Sequence, residues 1–136
     1  AFLDRHMIVE LRIVMVFALF VIFTLLIQSV LTTRQIGLRP LVGNRDNVTL
    51  KGVASRSDRA VKNSLIALIF VLPPVLAMAI IEQSTNGTVL TLLIFLCARI
   101  LYFIAYMLSI AWVRSGLWWV GMFCIFYLYS VALTSA

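Results

Sequence analysis

Arg99, Tyr102 and Tyr106 recur at intervals of three and four residues inside an apolar run, Val89 to Val113, that contains no acidic residue; Arg114 follows directly after it. Residues so spaced share one face of a helix. A stripe of guanidinium and phenol groups offers charge and hydrogen bonds to an anion, and at ~1.5 Å per residue a single helix would carry it about 22 Å from Arg114 to Arg99. Arg99 is the informative member. A cation at bilayer depth costs roughly 2.5–3.5 kcal/mol on insertion scales, and by default it faces a bundle interior or a polar cavity. A second stripe, Arg56, Arg59, Asn63 and Ile66, has the same spacing, with Lys62 beside it. The two stripes could face each other across a site for a polar molecule with negative charge. Structural roles stand beside that reading: cations at a helix start also serve as topology signals with snorkelling side chains, and Tyr102 and Tyr106 alone would simply pack. For Arg99 the structural alternative is a hydrogen bond to backbone carbonyls, and Pro73-Pro74 frees those of Ile69 and Phe70.

The elements that must position these residues follow from composition. A chain of 136 residues that is 63% hydrophobic and 12% charged is too apolar for a soluble domain of ordinary usage. A membrane helix needs about 20 apolar residues, and the pattern predicts four helices, over about 13–31, 59–82, 89–113 and 116–135, in one domain spanning 1–136. The expected fold class is therefore an all-α, integral membrane four-helix bundle. A β-barrel would alternate polar and apolar residues, whereas Val14 to Ile27 and Leu90 to Leu96 are apolar on nearly every side. The remaining long segment, 32–58, is predicted as a loop, with Gly37, Pro40, Gly43 and Asn44-Arg45-Asp46-Asn47 marking turns. Arg34, Arg39, Arg45, Lys51, Arg56 and Arg59 fall in or beside this loop, while Glu82 to Thr88 holds no Lys or Arg. The positive-inside rule then places the loop and Arg114 in the cytoplasm and both termini on the other side. The net charge of +6 thus reads mainly as an inner-face feature facing anionic headgroups; membrane lipids are expected partners and nucleic acid is not. Ala1 to His6 lacks the apolar core and small-residue cleavage pattern of a signal peptide.

Several chemistries are not expected. His6 is the sole histidine, and Cys97 and Cys124 lie in separate apolar helices without ligand spacing, so neither a metal site nor a Cys/His nucleophile pair is supported. The five acids, Asp4, Glu10, Asp46, Asp58 and Glu82, do not pair within a helix, and Glu10 reads as lying ahead of the first span. A small transporter would want an acid inside that span. The Asn47-Val48-Thr49 and Asn86-Gly87-Thr88 triplets match a glycosylation pattern, a weak signal without secretory context.

The segments Arg56-Ser57-Asp58-Arg59-Ala60-Val61-Lys62-Asn63, Ala98-Arg99-Ile100-Leu101-Tyr102-Phe103-Ile104-Ala105-Tyr106 and Arg114-Ser115-Gly116 together resemble the family of membrane-associated proteins in eicosanoid and glutathione metabolism, in its bacterial type. The resemblance implies a homotrimer in the bacterial inner membrane that binds glutathione between subunits on the cytoplasmic side. It also implies that Arg59, Lys62, Asn63, Arg99, Tyr102 and Tyr106 bind glutathione, with Arg114 and Ser115 near the thiol. A guanidinium beside a thiol favours the thiolate, the nucleophilic form, and arginine forks suit glutathione's carboxylates. The implied activity is a transferase or peroxidase for lipophilic electrophiles; the alternative is a non-catalytic relative that binds a lipid or another anion, or supports a partner membrane complex. Three positions depart from the family pattern. Lys62 stands in place of arginine, Tyr102 in place of a common histidine, and Ile66 in place of the glutamate that active members use to receive the amino group of glutathione.

Overall fold

The computed structural model describes residues 8–43 and 50–135, with Leu41 and Val42 described by backbone only. Arg45, Asp46, the Asn47 triplet and His6 lie outside these residues. Four long helices, α1 (Val9–Ile36), α3 (Gly52–Ile80), α4 (Asn86–Met107) and α5 (Ala111–Thr134), are joined by a single helical turn, α2 (Arg39–Val42), and by two short connections. All four long helices have the length and apolarity to cross a membrane, with mean hydropathies of 2.7, 2.2, 2.3 and 1.7 in chain order. α3 and α4 each pack against all three other long helices, while α1 sits mainly on α3 and α5 mainly on α4. The inner pair is therefore the place where a buried polar group can be shared.

The helices extend beyond the predicted spans at one end and stop short at another. α1 runs past Leu31 because Gln28, Ser29, Thr32 and Thr33 bond within the helix, as in the Ser29 hydroxyl to the Leu25 carbonyl at 2.9 Å; it ends at Gly37, whose φ of 82° suits glycine. α3 starts at Gly52, so the expected loop 32–58 contains α2 and nearly two turns of α3. Gln35 closes the gap, donating to the Lys51 carbonyl at 2.6 Å and accepting from its N–H at 2.9 Å.

The predicted helix 89–113 is interrupted. α4 ends at Met107, and the N–H groups of Ser109 and Ile110 return to the carbonyls of Tyr106 and Ala105 at 3.1 and 2.9 Å. These are the two bonds of a Schellman motif, with Ser109 at φ 62° where glycine is usual. Glu82 closes α3 in the same way at φ 55°. Leu108 and Ser109 thus turn the chain, and Arg114 belongs to α5, not to an extension of the Arg99 stripe.

Between the helices, Phe17, Val71, Val75, Met78, Leu92, Phe95 and Leu128 form an almost fully enclosed core, with the Phe17 ring edge-on to Phe95 at 5.1 Å. Outward faces carry Leu19, Phe23, Leu26, Ile69 and Phe123, all more than half exposed, as residues meeting lipid would be. Lipid is as apolar as leucine, so helix association in a bilayer draws on close packing and on polar links between helices. One such link is not foreshadowed by the sequence. Glu10 lies within the first turn of α1, not ahead of it, and is completely buried. Its carboxylate accepts from the Ser84 hydroxyl at 2.7 Å and the Thr88 hydroxyl at 3.1 Å. It also faces the N-terminus of α4, where Thr85 and Thr88 form a capping box. Two helix N-termini favour its negative charge.

Candidate functional site

The site lies where α3, α4 and α5 meet. α4 supplies Arg99, Tyr102 and Tyr106 along one face, as their spacing predicts. Arg99 is 2% exposed. One of its terminal nitrogens, Nη2, donates to Asn63 Oδ1 at 2.9 Å and, at 3.4 Å, to Ser64 Oγ, while the guanidinium carbon stands 4.1 Å from the centroid of the Tyr102 ring. Its Nε is buried and has no hydrogen-bond partner. The carbonyls of Ile69 and Phe70, offered by the prolines, do not serve it; the acceptors are side chains one to two turns earlier on α3. Each acceptor is neutral, so the charge of Arg99 is solvated by dipoles and a ring face without being neutralised. A desolvated cation–π contact contributes up to about 2 kcal/mol, less than the several kcal/mol that burying an ion costs.

Toward the basic end, cations and rings alternate. Tyr102 meets Tyr106 edge-on at 5.7 Å, and Tyr106 in turn lies within reach of two guanidiniums, Arg114 at 4.7 Å and Arg59 at 5.9 Å. The α4–α5 turn makes this possible by folding Arg114 back beside Tyr106. Arg56 plays a structural part, its Nε donating to the Met107 carbonyl at 3.2 Å and so satisfying the C-terminus of α4 with a cation.

Two chambers adjoin along this series. The first, about 260 Å³, is lined by Asn63, Tyr102, Tyr106, Arg114, Ser115 and two tryptophans, Trp118 and Trp119. The second, about 250 Å³, is walled by Ile66, Ala67 and Phe70 of α3, Phe95 and Arg99 of α4, and Trp118, Gly121, Met122 and Ile125 of α5, with Asn63 at its edge. Asn63 and Trp118 border both. The arrangement places a polar, cationic space beside an apolar one, with Arg99 presented to the apolar space. Lys62 lines neither chamber; it is 71% exposed and paired with Asp58 at 3.0 Å.

Three contributors carry little or no signal in the sequence. Ser64 is a small polar residue in an apolar helix, with nothing to set it apart. Trp118 has the look of an interfacial anchor, although its position one turn after Arg114 puts it on the same face. Gly121 brings the α5 backbone beside the arginine, where a Cβ would make an ordinary van der Waals contact with Arg99 Cδ at 3.5 Å. Cys97 is exposed and Cys124 buried, and neither is in a disulfide.

Fold and site define a multi-pass membrane protein of four helices with a cationic cleft among the last three. The sequence matches the MAPEG family over residues 11–134, nearly the whole chain, and the protein belongs to that family. No characterised protein and no solved structure matches it.

Proposed function

We propose that the protein is a glutathione-dependent transferase or peroxidase that acts on lipophilic electrophiles drawn from the bilayer. The observation that carries this reading is the junction of the two chambers: Arg114, Ser115 and Tyr106 line a polar space that shares Asn63 and Trp118 with an apolar one. Family members are glutathione-related, and the residues present fit such a thiol peptide in charge, since Arg114 in the wall of the polar chamber offers a guanidinium fork to a carboxylate, with Arg59 outside that wall and 5.9 Å from the Tyr106 ring. In the transferase reaction Arg114, positioned by Tyr106, stabilises the thiolate after its proton has passed to water. The sulfur then forms a bond to the electrophilic carbon as the leaving group departs with its electron pair. The apolar chamber would hold the electrophile's hydrocarbon part and keep water away. The family pattern further supports a homotrimer in the bacterial inner membrane, with the basic end cytoplasmic and both termini outside.

One observation favours a second reading, a non-catalytic protein that binds a lipid or other anion or supports a partner complex. Ile66 lines the chamber at Arg99, where the resemblance implies a glutamate, and among the described residues the arginine's hydrogen-bond partners are neutral. The test is conjugation of glutathione to 1-chloro-2,4-dinitrobenzene by the purified protein. The transferase reading expects turnover that Arg114→Ala abolishes while the oligomer persists in sedimentation. Absence of glutathione binding at millimolar concentration would refute it in favour of the second reading.

A further inference from the structure

The apolar chamber has a charge requirement of its own. Arg99 is enclosed, its Nε has no acceptor among the described residues, and among those residues no Asp or Glu lines either chamber. The walls opposite, Ile66 and Phe70, are apolar and about half exposed on the outer face of α3, so the chamber opens at the side of the bundle. A buried guanidinium attracts an anion more strongly in this setting than in water, and a carboxylate would supply the counter-charge that its neutral partners Asn63, Ser64 and Tyr102 do not. An ammonium group on the same ligand would meet the opposite situation: it would be desolvated beside a like charge, against hydrocarbon, with no acid to receive it. We propose that the chamber at Arg99 receives a carboxylate carried on an uncharged chain, with no ammonium group near it. Two sources share that chemistry, a free fatty acid from the bilayer and a peptide thiol whose terminal amino group is absent. Binding of either does not depend on catalysis in the neighbouring polar chamber.

Trp118 borders the chamber and serves as the reporter. In the full chain carrying Trp112→Phe and Trp119→Phe, reconstituted in nanodiscs at alkaline pH, Trp118 fluorescence is titrated with dibromostearate and with its methyl ester. A parallel arm measures thermal stabilisation of the native chain by glutathione and by glutaryl-cysteinylglycine, which differ by the amino group. The proposal expects either a tenfold or greater preference for the acid over the ester, or stabilisation by the deaminated peptide at a tenfold lower concentration than by glutathione. The arm that responds identifies the source. Ile66→Glu, at a half-exposed position, should bring that preference to about one by giving Arg99 an internal carboxylate. Equal response to both members of each pair would overturn the proposal, as would a preference that survives Ile66→Glu. Stabilisation by glutathione above its deaminated analogue would overturn the charge rule yet leave the transferase reading intact.

Discussion

Removing the acceptor of a buried charge should cost more than removing the charge itself, and the Arg99–Asn63 pair allows both to be measured. Asn63→Ala deletes the 2.9 Å bond and leaves Arg99 with the 3.4 Å contact to Ser64 and the face of Tyr102. Side-chain hydrogen bonds between membrane helices average about 0.6 kcal/mol and reach about 1.7. A charged partner roughly doubles the strength of a hydrogen bond, so the expected loss is about 1–2 kcal/mol. Arg99→Leu removes the same bond together with the ring contact, but it also removes the burden of a desolvated cation and places hydrocarbon against Phe95 and Ile125. Buried ionic groups replaced by apolar ones of similar volume are often neutral or stabilising, and the net change should lie within about 1 kcal/mol of zero by the same argument. With leucine at 99, Asn63→Ala has little left to break, so the double-mutant cycle should return a coupling of about 1–2 kcal/mol. Titration of the four proteins with dodecyl sulfate in mixed micelles, followed by helicity, reads these differences. A coupling under about 0.5 kcal/mol, the range of independent sites, would refute the assignment of Asn63 as the principal acceptor.

Three further outcomes follow from other parts of the structure. Glu10→Ala removes two interhelical hydrogen bonds, while the exposed Ser84 hydroxyl can turn to solvent and the Thr88 hydroxyl keeps the Thr85 carbonyl at 2.9 Å, so the bundle should lose about 1 kcal/mol, the net worth of a typical hydrogen bond; the same detergent titration measures it. Ser109→Gly relieves a left-handed backbone at φ 62° and should stabilise by about 1 kcal/mol, seen as a higher unfolding temperature. Lys62→Ala breaks only an exposed pair one turn apart, so its effect on stability should stay below about 0.5 kcal/mol, and a larger loss would show that the side chain has a second role.

The sequence displays the bundle through its apolar runs, because a helix long enough to cross a bilayer leaves an unbroken signal. Its ends are less legible. The α4–α5 turn is made by Leu108 and Ser109, in a run where hydropathy does not fall and no glycine or proline marks the break; only the left-handed backbone at Ser109 reveals it. Within the site, the face shared by Arg99, Tyr102 and Tyr106 is readable from helical spacing. The partners of Arg99 are not, since an arginine's acceptors depend on which helix lies opposite and at what height, information that spacing within one helix does not hold. Glu10 shows the same limit: a carboxylate near the edge of an apolar run looks solvated until the α3–α4 turn and the first turn of α4 each bring a hydroxyl over it.

The order of the helices along the chain bears on biogenesis. A ribosome makes α3, with Asn63 and Ser64, before it makes α4, and the turn at Leu108 and Ser109 is short enough for α4 and α5 to enter the bilayer as a hairpin. The costly arginine therefore arrives after its acceptors, and Trp118 and Gly121, which close over it from α5, come last. Were the order reversed, Arg99 would await partners still inside the ribosome, exposed to lipid at the cost of several kcal/mol that intramembrane cations incur. Translation order thus spares the nascent chain its least favourable intermediate.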